Sequence, residues 1–131
     1  MTAAHHKLEK LCLIIDYNKL QSDDLNENII GLEPLGDRWR AFNWNVLEVD
    51  GHCQDEIAKA LADFKVCVNQ PTVIIAHTIK GKGVSYMEGA AAWHGSVTMS
   101  EEELVTALRD LDVPDAEIGS YVDGSFFASD D

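Results

Sequence analysis

Basic residues are scarce in this chain: 10 lysines and arginines face 23 aspartates and glutamates, a formal net charge of -13. No run of Lys or Arg offsets that balance, so nucleic acid phosphates and anionic membrane surfaces are repelled, although a local basic pocket for one phosphate remains possible. Cysteines number 3, at Cys12, Cys53 and Cys67, an odd count with no metal-type spacing. A disulfide framework does not fit that pattern, and free thiols agree with a reducing compartment. No apolar run approaches the length that spans a bilayer, and no charged-then-apolar leader opens the sequence. The expected compartment is the cytoplasm. A Walker-type phosphate loop is absent as well, because the glycines and lysines around Gly81 have the wrong order and spacing.

What is present is ordinary for a globular protein. The 131 residues suit one core, and 46% hydrophobic with 25% charged residues excludes disorder throughout. Residues 11–21 (LCLIIDYNKLQ) organise the rest. Five apolar residues precede Asp16-Tyr17-Asn18, which fits a strand buried on both faces of a parallel sheet. Asp16 and Asn18 then stand at its carboxyl end, the edge where ligands bind in open α/β sheets. The plainer reading is an ordinary Asx turn.

Along the chain, residues 2–10 read as the end of a helix, with Lys7 and Lys10 complementing its dipole. Residues 22–31 are polar and loop-like. A helix over 35–42 carries Leu35, Trp39 and Phe42 on one face, and Asn43 ends it before a strand over 45–49. Residues 54–68 form the clearest helix, with Ile57, Leu61, Phe64 and Val68 as one apolar stripe. Pro71 stops it. Residues 72–77 (TVIIAH) are a third strand, and strands alternating with helices predict an α/β fold, a parallel β-sheet flanked by helices. Ser100, with Glu103 three residues on, forms a capping box opening a last helix to Leu111. Residues 112–131 read as an acidic C-terminal extension, held at best through Tyr121, Val122, Phe126 and Phe127.

A second informative stretch is residues 78–95, TIKGKGVSYMEGAAAWHG. Gly81 and Gly83 permit close approach to a ligand, and Lys80 and Lys82 stand among them, so amides and ammonium groups together suit a phosphate. The same alternation also occurs in plain surface turns. His94, between Trp93 and Gly95, is either packing or catalytic, at the end of a segment that follows a strand's carboxyl end. His77 reads as a cap on that strand.

LIIDYNKLQ followed by TIKGKGVSYME and WHG, in this order and spacing, resembles the thiamine diphosphate-binding domain of transketolases. AHHKLEKL matches the helix before the first strand in that family, and FNWNVLEVDGH matches the next strand and turn. The resemblance covers residues 3–111 and fits the split type, in which this domain is a separate subunit. It implies a partial thiamine diphosphate-binding fold over residues 1–111. By the same resemblance, Asn18 gives a side-chain oxygen to Mg2+ and Leu20 its backbone carbonyl. Ile79 packs on the cofactor, Lys80 reaches its diphosphate, and His94 takes part in proton transfers of ketol transfer.

Two departures accompany these matches. The family's Gly-Asp-Gly, whose aspartate is the other protein ligand of Mg2+, is missing from this sequence. Asp24 stands where the family usually has glycine, and it is the local carboxylate able to join the metal if the turn folds back. The expectation is a component of a split transketolase-like enzyme that transfers a two-carbon ketol unit between sugar phosphates or related carbonyl compounds. It would need thiamine diphosphate, Mg2+, a chain carrying the Gly-Asp-Gly half-domain and a pyrimidine-domain chain, and would be inactive alone. A non-catalytic interaction or regulatory module of the same ancestry is the alternative. Exposed aromatic surface, including Trp39, Trp44 and Trp93, is expected to drive hetero-oligomerisation.

Overall fold

The computed structural model describes residues 1–22, 24–95 and 97–128. Two compact units are present, Met1–Thr78 and a second from Ile79 onward. In chain order the first contains α1 (Thr2–His5), β1 (Cys12–Tyr17), β2 (Leu20–Gln21), β3 (Asp24–Leu25), α2 (Asn26–Ile29), α3 (Leu35–Ala41), β4 (Asn45–Asp50), α4 (Gln54–Val66) and β5 (Thr72–His77). Strands β1, β5 and β4 lie side by side in that order, all parallel, in register from Cys12, Thr72 and Asn45 to Tyr17, His77 and Asp50. The expected parallel sheet flanked by helices is the observed one.

β5 is the middle strand, and its β-branched residues are used on both faces. Val73 and Ile75 pack with Tyr17 and Trp44, flanked by Ile15, Leu35, Trp39, Val46 and residues of α1. Ile74 and Ala76 point the other way, to Val49 and to Ala60 and Ile57 of α4. Each fully buried isoleucine contributes roughly 2–3 kcal/mol relative to exposure. Thr72 is buried too, and its hydroxyl accepts a hydrogen bond from the Asn45 amide at 3.2 Å.

β1 departs from the expectation of burial on both faces. Leu13 is 36% and Ile14 58% exposed. The reason is position: among the described residues no strand pairs with its outer side. The tryptophans also differ from expectation, since Trp44 is buried and Trp39 lies edge-on to it with ring centroids 4.9 Å apart. Exposed large apolar side chains include the aliphatic Leu13 and Ile14 of β1 and, elsewhere in the chain, Phe42, Phe126 and Phe127.

Helix ends account for most boundary differences. α1 stops at His5 because Lys7 adopts a left-handed φ of 51°. Its N–H bonds to the Ala4 carbonyl and that of Leu8 to Ala3, a closure that satisfies the last carbonyls. Asn43 (φ 61°) ends α3 in the same way. α4 ends at Val66, since Cys67 is already extended. Val68 therefore leaves the apolar stripe and is exposed, Leu61 is exposed as well, and Ile57 and Ala60 carry the contact with the sheet. Residues 22–31 are not a plain loop: β2 and β3 pair antiparallel and α2 follows. Asp23 lies outside the described residues.

The second unit holds a short 3-10 turn (Ala91–Trp93), α5 (Glu101–Asp110), α6 (Asp115–Val122) and a 3-10 turn (Ser125–Ala128). The capping box forms as expected: the Glu103 N–H donates to Ser100 Oγ at 3.2 Å, and the Ser100 N–H to Glu103 Oε2 at 2.8 Å. Asp112 (φ 60°) closes α5. Ala107 of α5 and Ile118 of α6 are buried. The stretch read as an extension is thus helical over α6, and Tyr121 stacks on Phe126 at 4.1 Å. Residues 129–131, its acidic end, lie outside the described residues.

Candidate functional site

Parallel pairing brings the carboxyl ends of β1, β5 and β4 to one edge, where Asn18, Thr78 and Gly51 follow. The Gly51 N–H donates to the His77 carbonyl at 2.8 Å, and a Cβ there would stand 2.4 Å from a Thr78 methyl group. Only glycine fits this closely packed turn. Asn18 Oδ1 accepts the Leu20 N–H at 2.9 Å, an Asx turn that fixes the direction of the side-chain oxygen. Lys19, at φ 64°, turns the chain between them. The two residues expected to face a metal are therefore brought together by a direct hydrogen bond. A cleft of about 310 Å³ is lined by Asp16, Asn18, Lys19, Leu20, Asn26 and Leu32. A second, of about 440 Å³, is lined by residues including Tyr17, Lys19, Asn26 and Glu33.

The nearby carboxylates are engaged locally. Asp16 accepts the Thr78 hydroxyl. Asp24 accepts the Leu25 N–H at 2.7 Å and the Asn28 amide at 3.0 Å, and these bonds hold its carboxyl below the usual range. Its oxygens are thus engaged at the start of α2. Among the described residues no group of three His, Cys, Asp or Glu side chains is arranged to hold a metal ion. Asn18 and Leu20 thus offer neutral oxygens that fit a hard divalent cation in part, and a carboxylate or phosphate from elsewhere is needed to complete it.

Sequence reasoning missed a polar chain along this edge. The Tyr17 hydroxyl donates to Glu33 Oε1 at 2.7 Å. Burial and Glu33 push that hydroxyl up, while the Leu35 N–H and the Tyr17 hydroxyl hold Glu33 down. The Tyr17 ring lies edge-on to His77 at 5.7 Å, and His77 Nε2 is 3.1 Å from Glu48 Oε2. Arg40 then joins Glu48 to Asp37. The His77 side chain ties β5 to β4. The one signal available in the sequence was Tyr17 directly before Asn18.

In the second unit, Gly81 has φ 72°, and a Cβ there would fall 2.7 Å from the Met87 carbonyl. Its openness serves the chain's own close approach. The Gly83 N–H donates to Glu88 Oε1 at 3.0 Å, and Lys82 Nζ stands 3.8 Å from the same oxygen. An internal carboxylate thus takes the place at Gly83 and Lys82 that the sequence suited to a phosphate. The Lys80 carbonyl accepts the Gly89 N–H at 2.9 Å, and Ile79 is exposed. Ser85 and Tyr86 fasten the segment to α5 through Asp110 and the Glu103 carbonyl. Trp93 packs on Tyr86 at 5.2 Å, while His94 is exposed after the 3-10 turn. No hydrogen bond or ion pair joins Lys80 to His94 among the described residues.

Residues 1–115 match the sequence model of the transketolase thiamine diphosphate-binding domain. The chain belongs to the transketolase family. It is 42% identical over 112 residues to the 6-deoxy-6-sulfo-D-fructose transketolase subunit SqwG of Clostridium sp. strain MSTE9, covering 86% of this chain and 40% of that relative. It is also 42% identical over 102 residues to one of the subunits of the apulose-4-phosphate transketolase of Phocaeicola vulgatus, covering 78% and 36%. Among solved structures, the transketolase of Campylobacter jejuni superposes with a TM-score of 0.76 at 29% identity, over 93% of this chain and 21% of that one. The transketolase fold is therefore shared, and both sequence relatives carry the name of subunits. The chain spans 36–40% of the length of those two relatives. No helix is long and apolar enough to cross a membrane among the described residues.

Proposed function

We propose that this chain supplies part of the thiamine diphosphate site of a multi-chain, Mg2+-dependent transketolase that moves a two-carbon ketol unit between sugar phosphates or related carbonyl compounds. The observation that carries this reading is the Asx-turned Asn18–Leu20 segment at the carboxyl edge of a parallel sheet. The domain proper would be residues 1–111, with 112–131 as an accessory extension, and the enzyme would act in the cytoplasm. When bound, the cofactor supplies the acidic thiazolium carbon that carries out the carbonyl chemistry. Asn18 Oδ1 and the Leu20 carbonyl would hold Mg2+ from one side. Lys80 would offset diphosphate charge, Ile79 would pack on the cofactor, and the exposed His94 would move protons at the substrate oxygens. A chain with the Gly-Asp-Gly half-domain and a pyrimidine-domain chain would provide the rest.

A non-catalytic module of the same ancestry is the second reading. It is favoured by Glu88, which fills the place an anion would take at Gly83. A coupled ketol-transfer assay separates the two. The purified chain with cofactor and Mg2+ should be silent, and adding the complementary chains should restore turnover that Asn18→Ala abolishes. Restored turnover that survives Asn18→Ala, or no turnover with any complement, would reject the enzymatic reading.

A further inference from the structure

We propose that Glu33, acting through the Tyr17 hydroxyl, is a positioning residue for the Asn18–Leu20 turn, holding the Asn18 oxygen and the Leu20 carbonyl at the spacing a divalent cation takes. The inference rests on the metal-turn reading above and adds what keeps that turn in shape. The turn has little packing of its own. Asn18 and Leu20 are half-buried and Lys19 is exposed. Both clefts described above are lined by Tyr17, Lys19, Asn26 and Leu32, so the turn borders two open spaces. From residue 16 to residue 35, Tyr17 and Asn26 alone are buried among the described residues. The turn is therefore held by what these two residues bond to.

Tyr17 is fixed at both ends. Its ring packs with Trp44, Val73 and Ile75, and its carbonyl accepts the Thr78 N–H at 3.3 Å. Its hydroxyl donates to Glu33 Oε1 at 2.7 Å, and the Asn26 side chain bonds the same hydroxyl. Glu33 is itself anchored: its Oε2 accepts the Leu35 N–H at 3.0 Å, and its carbonyl accepts Arg38 Nη2 at 3.1 Å. The carboxylate thus joins the start of α3 to the residue directly before Asn18. Asn26 closes the other side, since its N–H donates to the Lys19 carbonyl at 2.9 Å. A phenylalanine would fill the same core space as Tyr17, so packing does not account for the hydroxyl. Mg2+ takes its oxygens in near-octahedral geometry at about 2.0–2.1 Å. Removing the hydrogen bonds behind its ligands costs about 10–100-fold in metal affinity.

The test uses the full 131-residue chain, with amide exchange and Mn2+ broadening of backbone amide signals as readouts. In Glu33→Ala and in Tyr17→Phe, exchange at Leu20 and Asn26 should quicken roughly tenfold relative to Ile74 of the central strand. Mn2+, standing in for Mg2+, should broaden Asn18 and Leu20 in the unaltered chain, and about tenfold more of it should be needed in either variant. Glu33→Gln keeps an acceptor for the hydroxyl and should recover part of the loss. The double variant Tyr17→Phe/Glu33→Ala should be no worse than Glu33→Ala alone, because one line of contacts is cut at two points. Glu27→Gln, on the same cleft, should change neither readout. Equal quickening at Leu20, Asn26 and Ile74 would show a loss of stability only and overturn the proposal, as would unchanged exchange at the turn. Broadening that misses Asn18 and Leu20 in the unaltered chain would overturn the metal reading, and the cation role of Glu33 with it, even where the exchange pattern holds.

Discussion

β5 and β1 look alike as sequence, TVIIAH against CLIIDY, yet the first is sealed and the second half open. Residues 72–76 are all buried in β5, whereas in β1 only Tyr17 is. Composition alone does not seal a strand: β1 is as apolar as β5, but among the described residues no strand pairs with its outer side. Each unit, taken by itself, holds one glycine- or asparagine-turned segment, and the two differ in the same way. The turn after β1 faces two clefts, while residues 79–89 are closed on Met87 and Glu88.

The comparison breaks most visibly under truncation. Ile75→Ala should cost about 3–4 kcal/mol, because a fully buried branched chain is lost from between Tyr17 and Trp44. Ile14→Ala should cost under about 1 kcal/mol in the isolated chain. Urea midpoints at constant slope read both, and equal losses would mean β1 is covered after all. Gly81→Ala comes next, at roughly 2 kcal/mol, because φ 72° and the Met87 carbonyl both oppose a side chain. The same substitution at Gly89, with nothing within 4 Å but φ 66°, should cost less. Tyr17→Phe should cost about 1 kcal/mol by removing the hydroxyl that donates to Glu33 Oε1, seen as a small shift of thermal midpoint.

Acid should produce the smallest effect. Asp24, Glu33, Glu103 and Asp110 all sit below their ordinary values, 3.8 for Asp and 4.5 for Glu, through hydrogen bonds to their carboxylates. Folded values below unfolded ones mean stability that is present above about pH 4.5 and lost as pH falls through the folded values. Unfolding free energies measured between pH 7 and pH 3 should stay level and then decline. Ser85→Ala should reduce that decline, since it removes the hydroxyl that donates to Asp110 and leaves only the backbone N–H bond in place.

What is legible in the sequence is local or periodic. β5 can be placed to the residue because Pro71 bounds a continuous β-branched run, and the capping box because Ser100 and Glu103 stand three apart. α4 is legible at its start and not at its end, where Val68 keeps helical spacing after the chain has already turned at Cys67. α1 is shorter than its composition suggests because nothing marks Lys7 as left-handed. The short β2–β3 pair depends on left-handed residues at Lys19 and Ser22, and two-residue strands carry no periodicity. At the site, Asn18, Leu20, Lys80 and His94 are legible only as a pattern shared with transketolases. Tyr17 with Glu33 and His77 with Glu48 join residues 16 and 29 apart, contacts that only the folded sheet creates.

The most direct test is an equilibrium titration of thiamine diphosphate with Mg2+ into the isolated 131-residue chain. Two neutral oxygens at Asn18 and Leu20, without a metal-binding carboxylate cluster among the described residues, predict no saturation below about 1 mM, weaker than about -4 kcal/mol. Saturable binding at micromolar concentration, lost in Asn18→Ala, would show that this chain alone holds a complete site and would contradict the account.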